Sequence, residues 1–196
     1  MKPNSKKLIL ASASPRRQEL LRQVGLSFEV MVNPVDETFL PGITPTEAAA
    51  ELAYRKAMAV AARLSEGIVI GADTVVVHRG EILGKPLDID AAINTLKSLS
   101  GTDHLVITGF SVIDCAAGRL LKASETTQVF FRRLSDAQIE AYVRSGEPMD
   151  KAGSYGIQGL GAVLVDRIVG CYFNVVGLPL SSLAEVLRQF GIEVLQ

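Results

Sequence analysis

The run Ile68-Val69-Ile70-Gly71-Ala72-Asp73-Thr74-Val75-Val76-Val77 constrains this chain most. It is rich in β-branched residues and bracketed by Gly67 on one side and the turn His78-Arg79-Gly80 on the other, which reads as a strand buried in the interior of a sheet. Around it the chain alternates helices with strands and then becomes richer in strand, which places it in the α/β class. An earlier apolar run, Leu8-Ile9-Leu10-Ala11, is a second buried strand, and Phe28 to Val32 reads as a further strand. Thr44-Pro45-Thr46-Glu47 is a capping box with proline at the first helical position, so it opens an alanine-rich helix predicted to run to about Leu64. A short helix from about Asp88 to Leu99 follows. Two longer strands come next, His104 to Ile113 and Leu121 to Phe131, joined at Ala116-Ala117-Gly118. Ser135-Asp136-Ala137-Gln138 starts another capped helix. A polar, glycine-rich loop from Gly146 to Gly161 leads to a predicted strand from Ala162 to Val169, and Leu178 to Phe190 is a closing amphipathic helix.

Composition limits the partners. With 196 residues, 48% of them hydrophobic, and no tract of low complexity, the chain reads as one compact domain, or one domain with two lobes. A net charge of −1 argues against a general nucleic-acid-binding surface or a basic membrane patch. No apolar stretch approaches the ~20 residues of a membrane span. The start, Met1-Lys2-Pro3-Asn4-Ser5-Lys6-Lys7, lacks the apolar core of a signal peptide, so a cytoplasmic protein with a small-molecule partner is expected. Cys115 and Cys171 lie far apart without CxxC spacing and read as two reduced thiols.

Three constellations carry chemistry. In Ser12-Ala13-Ser14-Pro15-Arg16-Arg17 a buried strand hands over to a helix, with Ser14 as N-cap and Pro15 as first helical residue, before Gly25 stops it. Helical N–H groups and the positive dipole end then face the same space as Arg16 and Arg17, as a polyphosphate site requires. The alternative is two arginines on a solvated face, although cations there oppose the dipole. The second constellation is acidic. Asp73 stands in an apolar strand and needs compensation, either from a divalent metal or from a backbone donor or lysine. Asp36-Glu37 supplies further carboxylates on a loop, where Glu37 is either a metal ligand or an exposed loop acid, and His78 and His104 are the chain's two histidines, so a hard, oxygen-liganded ion such as Mg²⁺ or Mn²⁺ is favoured over zinc.

The third constellation lies in two loops. Gly84-Lys85-Pro86 is not a P-loop, because Pro86 replaces the metal-binding Ser/Thr and the spacing from Gly80 is one residue short. Lys85 is either a phosphate ligand reaching from a rigid loop or a solvated lysine. Gly156-Ile157-Gln158-Gly159-Leu160-Gly161 has its glycines in the reverse order to a dinucleotide fingerprint and runs into a strand. Such a loop lets backbone and the Gln158 amide approach a ligand closely, since the amide both donates and accepts; ordinary glycine turns are the alternative.

Together, Leu10-Ala11-Ser12-Ala13-Ser14-Pro15-Arg16-Arg17, Val35-Asp36-Glu37, Ala53-Tyr54-Arg55-Lys56-Ala57, Gly71-Ala72-Asp73-Thr74-Val75, Gly84-Lys85-Pro86 and Asp150-Lys151-Ala152-Gly153-Ser154-Tyr155-Gly156-Ile157-Gln158-Gly159 resemble the Maf family of nucleotide pyrophosphatases, in that order. The resemblance implies a single domain over residues 1–196, with an elongated mixed β-sheet flanked by helices and two lobes about a central cleft, as in Maf and ITPase-like proteins. It implies hydrolysis of a nucleoside triphosphate to the monophosphate and pyrophosphate. Asp73 matches the family's proton acceptor and Glu37 a metal-associated acid. Ser12, Arg17, Lys56 and Lys85 match polar residues of the phosphate cleft. Arg16, Thr74 and Gln158 match positions that sort the family by base, and their identities here are those of the branch resembling dTTP/UTP pyrophosphatases. A homodimer is implied as well. Two other functions stay open at this stage: a house-cleaning enzyme for modified pyrimidine nucleotides, and a non-catalytic nucleotide-binding regulator of septum formation.

Overall fold

A computed structural model describes residues 6–39 and 42–195, so the reading of the first five residues lies outside it. The described chain forms strands β1 (Leu8–Leu10), β2 (Glu29–Val30), β3 (Ile68–His78), β4 (Glu81–Leu83), β5 (Asp103–Asp114), β6 (Arg119–Phe131) and β7 (Val165–Val169). The helices are α1 (Pro15–Gln23), α2 (Pro45–Ala61), α3 (Ile89–Leu99), α4 (Asp136–Arg144), α5 (Tyr172–Val176) and α6 (Leu180–Gln189). The sheet order is β2-β1-β3-β5-β6-β7, with β4 paired to β3. β1 runs parallel to β2 and β3, while β3/β4 and β6/β7 are antiparallel, so the expected mixed sheet flanked by helices is present.

The chain divides into two compact units: the described parts of 1–73, 108–125 and 177–196, and then 74–107 with 126–176. In the first, Ile9, Ala11, Val69 and Ile113 pack with Ala57, Val60 and Ala61 of α2. Two glycines let that helix lie close on the sheet. A Cβ on Gly71 of β3 would stand 2.3 Å from the Ala53 carbonyl oxygen, and one on Gly109 of β5 would stand 2.3 Å from the Ala49 carbonyl carbon. The alanines Ala48, Ala49, Ala53 and Ala57 are the matching small surface on α2. The Thr44–Glu47 capping box closes the helix N-terminus in both directions. In the second unit the core is α3 and α4 against Val76, Val106, Val129 and Phe131, with Tyr155 buried among them.

Element boundaries differ from the sequence reading at several points; β5 and β6 begin one and two residues earlier, at Asp103 and Arg119. Helix α2 ends at Ala61, because Arg63 and Leu64 bond back three residues, to Val60 and Ala61, and tighten the chain out of the α-helix. The strand expected over Phe28 to Val32 shrinks to Glu29–Val30 at the outer edge of the sheet. Strand β7 begins at Val165, since Gly159–Leu164 winds as a 3-10 turn. The closing helix starts at Leu180 and is preceded by the short α5, in which the Asn174 amide donates to the Val106 carbonyl (2.9 Å) and to Thr127 Oγ1 (2.9 Å). Cys115 and Cys171 are free thiols. Among the described residues no helix is long and apolar enough to cross a membrane.

Candidate active site

The first unit gathers six of the residues singled out from sequence. At the end of β1, Ser14 caps α1 and Pro15 opens it, as its sequence requires. Ser14 Oγ accepts the Arg17 N–H at 3.5 Å, and Ser12 Oγ accepts the Ser14 N–H at 3.3 Å. Arg17 is buried, at 9% exposure, which rules out the solvated-face alternative for it. Its Nε donates to the Gly177 carbonyl at 2.8 Å and its Nη1 to Ser12 Oγ at 3.1 Å. Burial lowers its pKa, as does the neighbouring Arg16 charge, while Asp73 and Glu37 pull the other way. A guanidinium stays charged under such pressure. It therefore presents a fixed cation in the field of both carboxylates.

Those carboxylates meet on Lys56. Asp73 lies on the same face of β3 as Gly71, the face on which α2 rests, and Lys56 is carried to it by that close helix packing. Lys56 Nζ stands 2.6 Å from Asp73 Oδ1 and 2.7 Å from Glu37 Oε1. The Asp73 and Lys56 side chains are 14% and 19% exposed, whereas Glu37 is 62% exposed. Of the alternatives for Asp73, a lysine partner is thus realised, and burial of this acid does not by itself call for a metal. Arg17, with Arg16 beside it, lies within the field of both carboxylates that Lys56 bridges, and such a cluster of cations suits a polyanion.

The donor set still fits a divalent ion brought with a polyphosphate. Two carboxylate oxygens close enough to share one ammonium can share one cation, and Mg²⁺ typically takes one or two carboxylates plus phosphate oxygens and water. Among the described residues no group of three or more His, Cys, Asp or Glu could hold a metal alone. The histidines belong to the second unit and are buried. His78 Nδ1 lies 3.3 Å from the Asp103 carbonyl, and His104 Nε2 is bonded to Tyr155 OH at 2.7 Å.

The second unit holds the other three. Thr74 follows Asp73 in β3, so its side chain projects to the opposite face of the strand. Lys85 is exposed in the loop after β4, and the Gly84 carbonyl accepts the Gly153 N–H at 3.1 Å, which ties that loop to the segment leading to Gln158. Gly153 has φ 70°, and a Cβ there would come within 2.9 Å of Val76. Gln158 sits half-buried just before the 3-10 turn.

One residue that sequence reasoning quoted without a role is Arg55. Its Nη1 donates to the carbonyls of Asp36 (3.3 Å) and Thr38 (3.1 Å), on either side of Glu37, while its Nε pairs with Glu51 at 3.2 Å. Arg55 therefore holds the backbone of the loop whose side chain Lys56 holds. Only its adjacency to Lys56 could have hinted at this.

The fold and this constellation define a class: an α/β protein with helix-borne cations and a lysine-bridged carboxylate pair, suited to handling a polyphosphate. The chain matches the family described as Maf-like protein over residues 7–190, and it belongs to that family. Its relatives include proteins named dTTP/UTP pyrophosphatase. That of Pelotomaculum thermopropionicum is 52% identical over 190 residues, covering 97% of this chain and 100% of its own. That of Desulforamulus reducens is 51% identical over 187 residues, covering 95% and 98%, and that of Alkaliphilus oremlandii is 52% identical over 192 residues, covering 97% and 100%. Among solved structures, the Staphylococcus aureus Ham1 protein is 17% identical with a TM-score of 0.47, over 82% of this chain and 80% of that one.

Proposed function

We propose that this chain hydrolyses dTTP and UTP to the monophosphate and pyrophosphate, with Mg²⁺ or Mn²⁺ as cofactor. The observation that carries the reading is the Asp73–Lys56–Glu37 bridge beside the buried Arg17. Relatives of about half-identical sequence with that activity support the choice of substrate. Asp73 and Glu37 would hold the metal, whose chemistry is to neutralise the triphosphate and polarise its phosphorus. Asp73 orients a water, or takes its proton, for attack at the α-phosphorus, and pyrophosphate leaves. Lys56 has two acceptors in the free protein, so a phosphate oxygen can take over one of them without leaving the ammonium unpaired. Arg16 and Arg17 offset charge that grows on the departing oxygens, the electrostatic contribution that dominates phosphoryl transfer, and the family resemblance supports Lys85 as a further phosphate-binding residue. Ser12 holds the Arg17 guanidinium in place. The match to the family's base-sorting positions supports Arg16, Thr74 and Gln158 as residues that select the base.

The family resemblance supports a single functional domain and a homodimer, with modified pyrimidine nucleotides within its range. The test is release of pyrophosphate, against phosphate, from dTTP, UTP, CTP, GTP and ATP with Mg²⁺ or Mn²⁺. Pyrophosphate from dTTP and UTP is expected. Binding of nucleotide with no release from any of them would favour the regulator of septum formation instead.

A further inference from the structure

The glycine-rich loop that carries Gln158 is held on one side by a carboxylate and on the other by a hydroxyl that donates to that carboxylate. Glu147, at the start of a 3-10 turn (Glu147–Asp150), accepts the Leu160 N–H on Oε2 at 2.9 Å. Its Oε1 accepts the Gly161 N–H at 3.1 Å and the Tyr142 hydroxyl at 2.9 Å. That hydroxyl in turn accepts the Gly156 N–H at 3.2 Å. Gly156 lies two residues before Gln158, and Leu160 two residues after it. The contacts also account for two of the glycines. A Cβ on Gly159, where φ is 63°, would stand 2.7 Å from Glu147 Oε2, and one on Gly161 would stand 2.1 Å from the Gly156 carbonyl oxygen.

Three donors converge on this side chain, and an ionised carboxylate is acceptor-only, with two oxygens to serve them. Burial works against the charged form of Glu147, but the Leu160 and Gly161 amides, Tyr142 and Lys151 outweigh it and hold its pKa below the ordinary value. Burial pushes the Tyr142 phenol the other way, well above its usual range, so it remains a donor. None of these groups takes part in the chemistry proposed above. Their hydrogen bonds end on the backbone flanking Gln158.

We infer that Glu147, through Tyr142, is the positioning residue that fixes where Gln158 presents its amide to the base. The inference rests on the proposed role of Gln158 in base selection. The test compares kcat/KM for UTP, dTTP and CTP, and amide hydrogen exchange across residues 156–161, in the unaltered protein and in Glu147→Gln, Tyr142→Phe and Gln158→Ala. Glutamine at 147 turns one acceptor into a donor facing donors, while phenylalanine at 142 removes a single hydroxyl from the same relay and keeps the ring. The latter variant carries the test should the former fail to fold.

Gln158→Ala is expected to relax the preference for UTP over CTP. Glu147→Gln is expected to relax it by roughly tenfold or more and to speed exchange at 156–161, with Tyr142→Phe moving both readouts in the same direction by less. If Gln158→Ala leaves base preference unchanged, the base-selecting role fails and the positioning role with it. If Gln158→Ala relaxes the preference while both relay variants keep it, the positioning role alone is overturned. A relay variant that lowers kcat/KM equally for all three nucleotides also overturns it, because that is the mark of a purely structural residue.

Discussion

Replacing Lys56 with methionine removes the charge that Asp73 and Glu37 share while keeping most of the side chain's volume. Asp73, at 14% exposure, is left largely desolvated beside Glu37 with their common partner gone, whereas Glu37, at 62%, recovers water. Removing one partner of a fully buried pair costs about 3–5 kcal/mol, and the partial exposure here scales that to about 1–3 kcal/mol. For a chain of this size that is a fall in Tm of roughly 3–10 °C. The same change frees the carboxylate pair from an ammonium that competes with any divalent ion, so Mn²⁺ should raise the Tm of Lys56→Met more than it raises that of the unaltered protein. Adding Asp73→Asn to Lys56→Met should recover much of the lost stability and abolish the extra response to Mn²⁺. Differential scanning calorimetry with and without Mn²⁺ at fixed ionic strength reads both effects. A variant as stable as the parent, with no larger metal shift, would refute the claim that Lys56 is the counterion of this pair.

Two further predictions concern the fold. Burial, and then the charge of His78, lower the His104 pKa from 6.5 to about 4 against the opposing pull of Asp103. Between those values the unfolded chain takes up the proton first, so this contribution is complete above about pH 6.5 and falls away toward pH 4. The difference corresponds to about 3 kcal/mol. Urea denaturation at pH 7, 5.5 and 4.5 should show the decline, and His104→Gln should flatten it. Gly71→Ala would drive a Cβ into the α2 backbone at Ala53 and Ala57. That overpacking should cost about 3 kcal/mol and lower activity, because Lys56 rides on the displaced helix. A urea midpoint unchanged from the parent would contradict the packing account.

Much of this fold is legible in the sequence wherever local chemistry and tertiary packing agree. Ser14, Pro15 and Gly25 mark α1 at both ends, Thr44 and Glu47 mark the start of α2, and the Ile/Val run marks β3. What escapes is set by distant partners. Residues 162–164 read as strand from their apolar character, yet the Gly159–Leu164 turn winds where Glu147 takes the Leu160 and Gly161 amides. Helix α5 has five residues and is anchored by Asn174 to groups 47 and 68 positions away, so no periodicity announces it. The candidate site follows the same division. Residue types and the family's motifs pointed to Asp73, Glu37, Lys56 and the arginines, but not to the pairing of Lys56 with both acids. Nor did they show that Arg17 is buried, because that depends on the Gly177 carbonyl 160 residues away.

The central claim is that Asp73, in the pair bridged by Lys56, does the chemistry. The most direct measurement is pyrophosphate release from dTTP by Asp73→Asn, with bound metal quantified in the same samples. The account predicts a loss of turnover of at least ~10²-fold, the usual contribution of a general base, and more where metal is lost too. Near-normal turnover with unchanged metal content would contradict it.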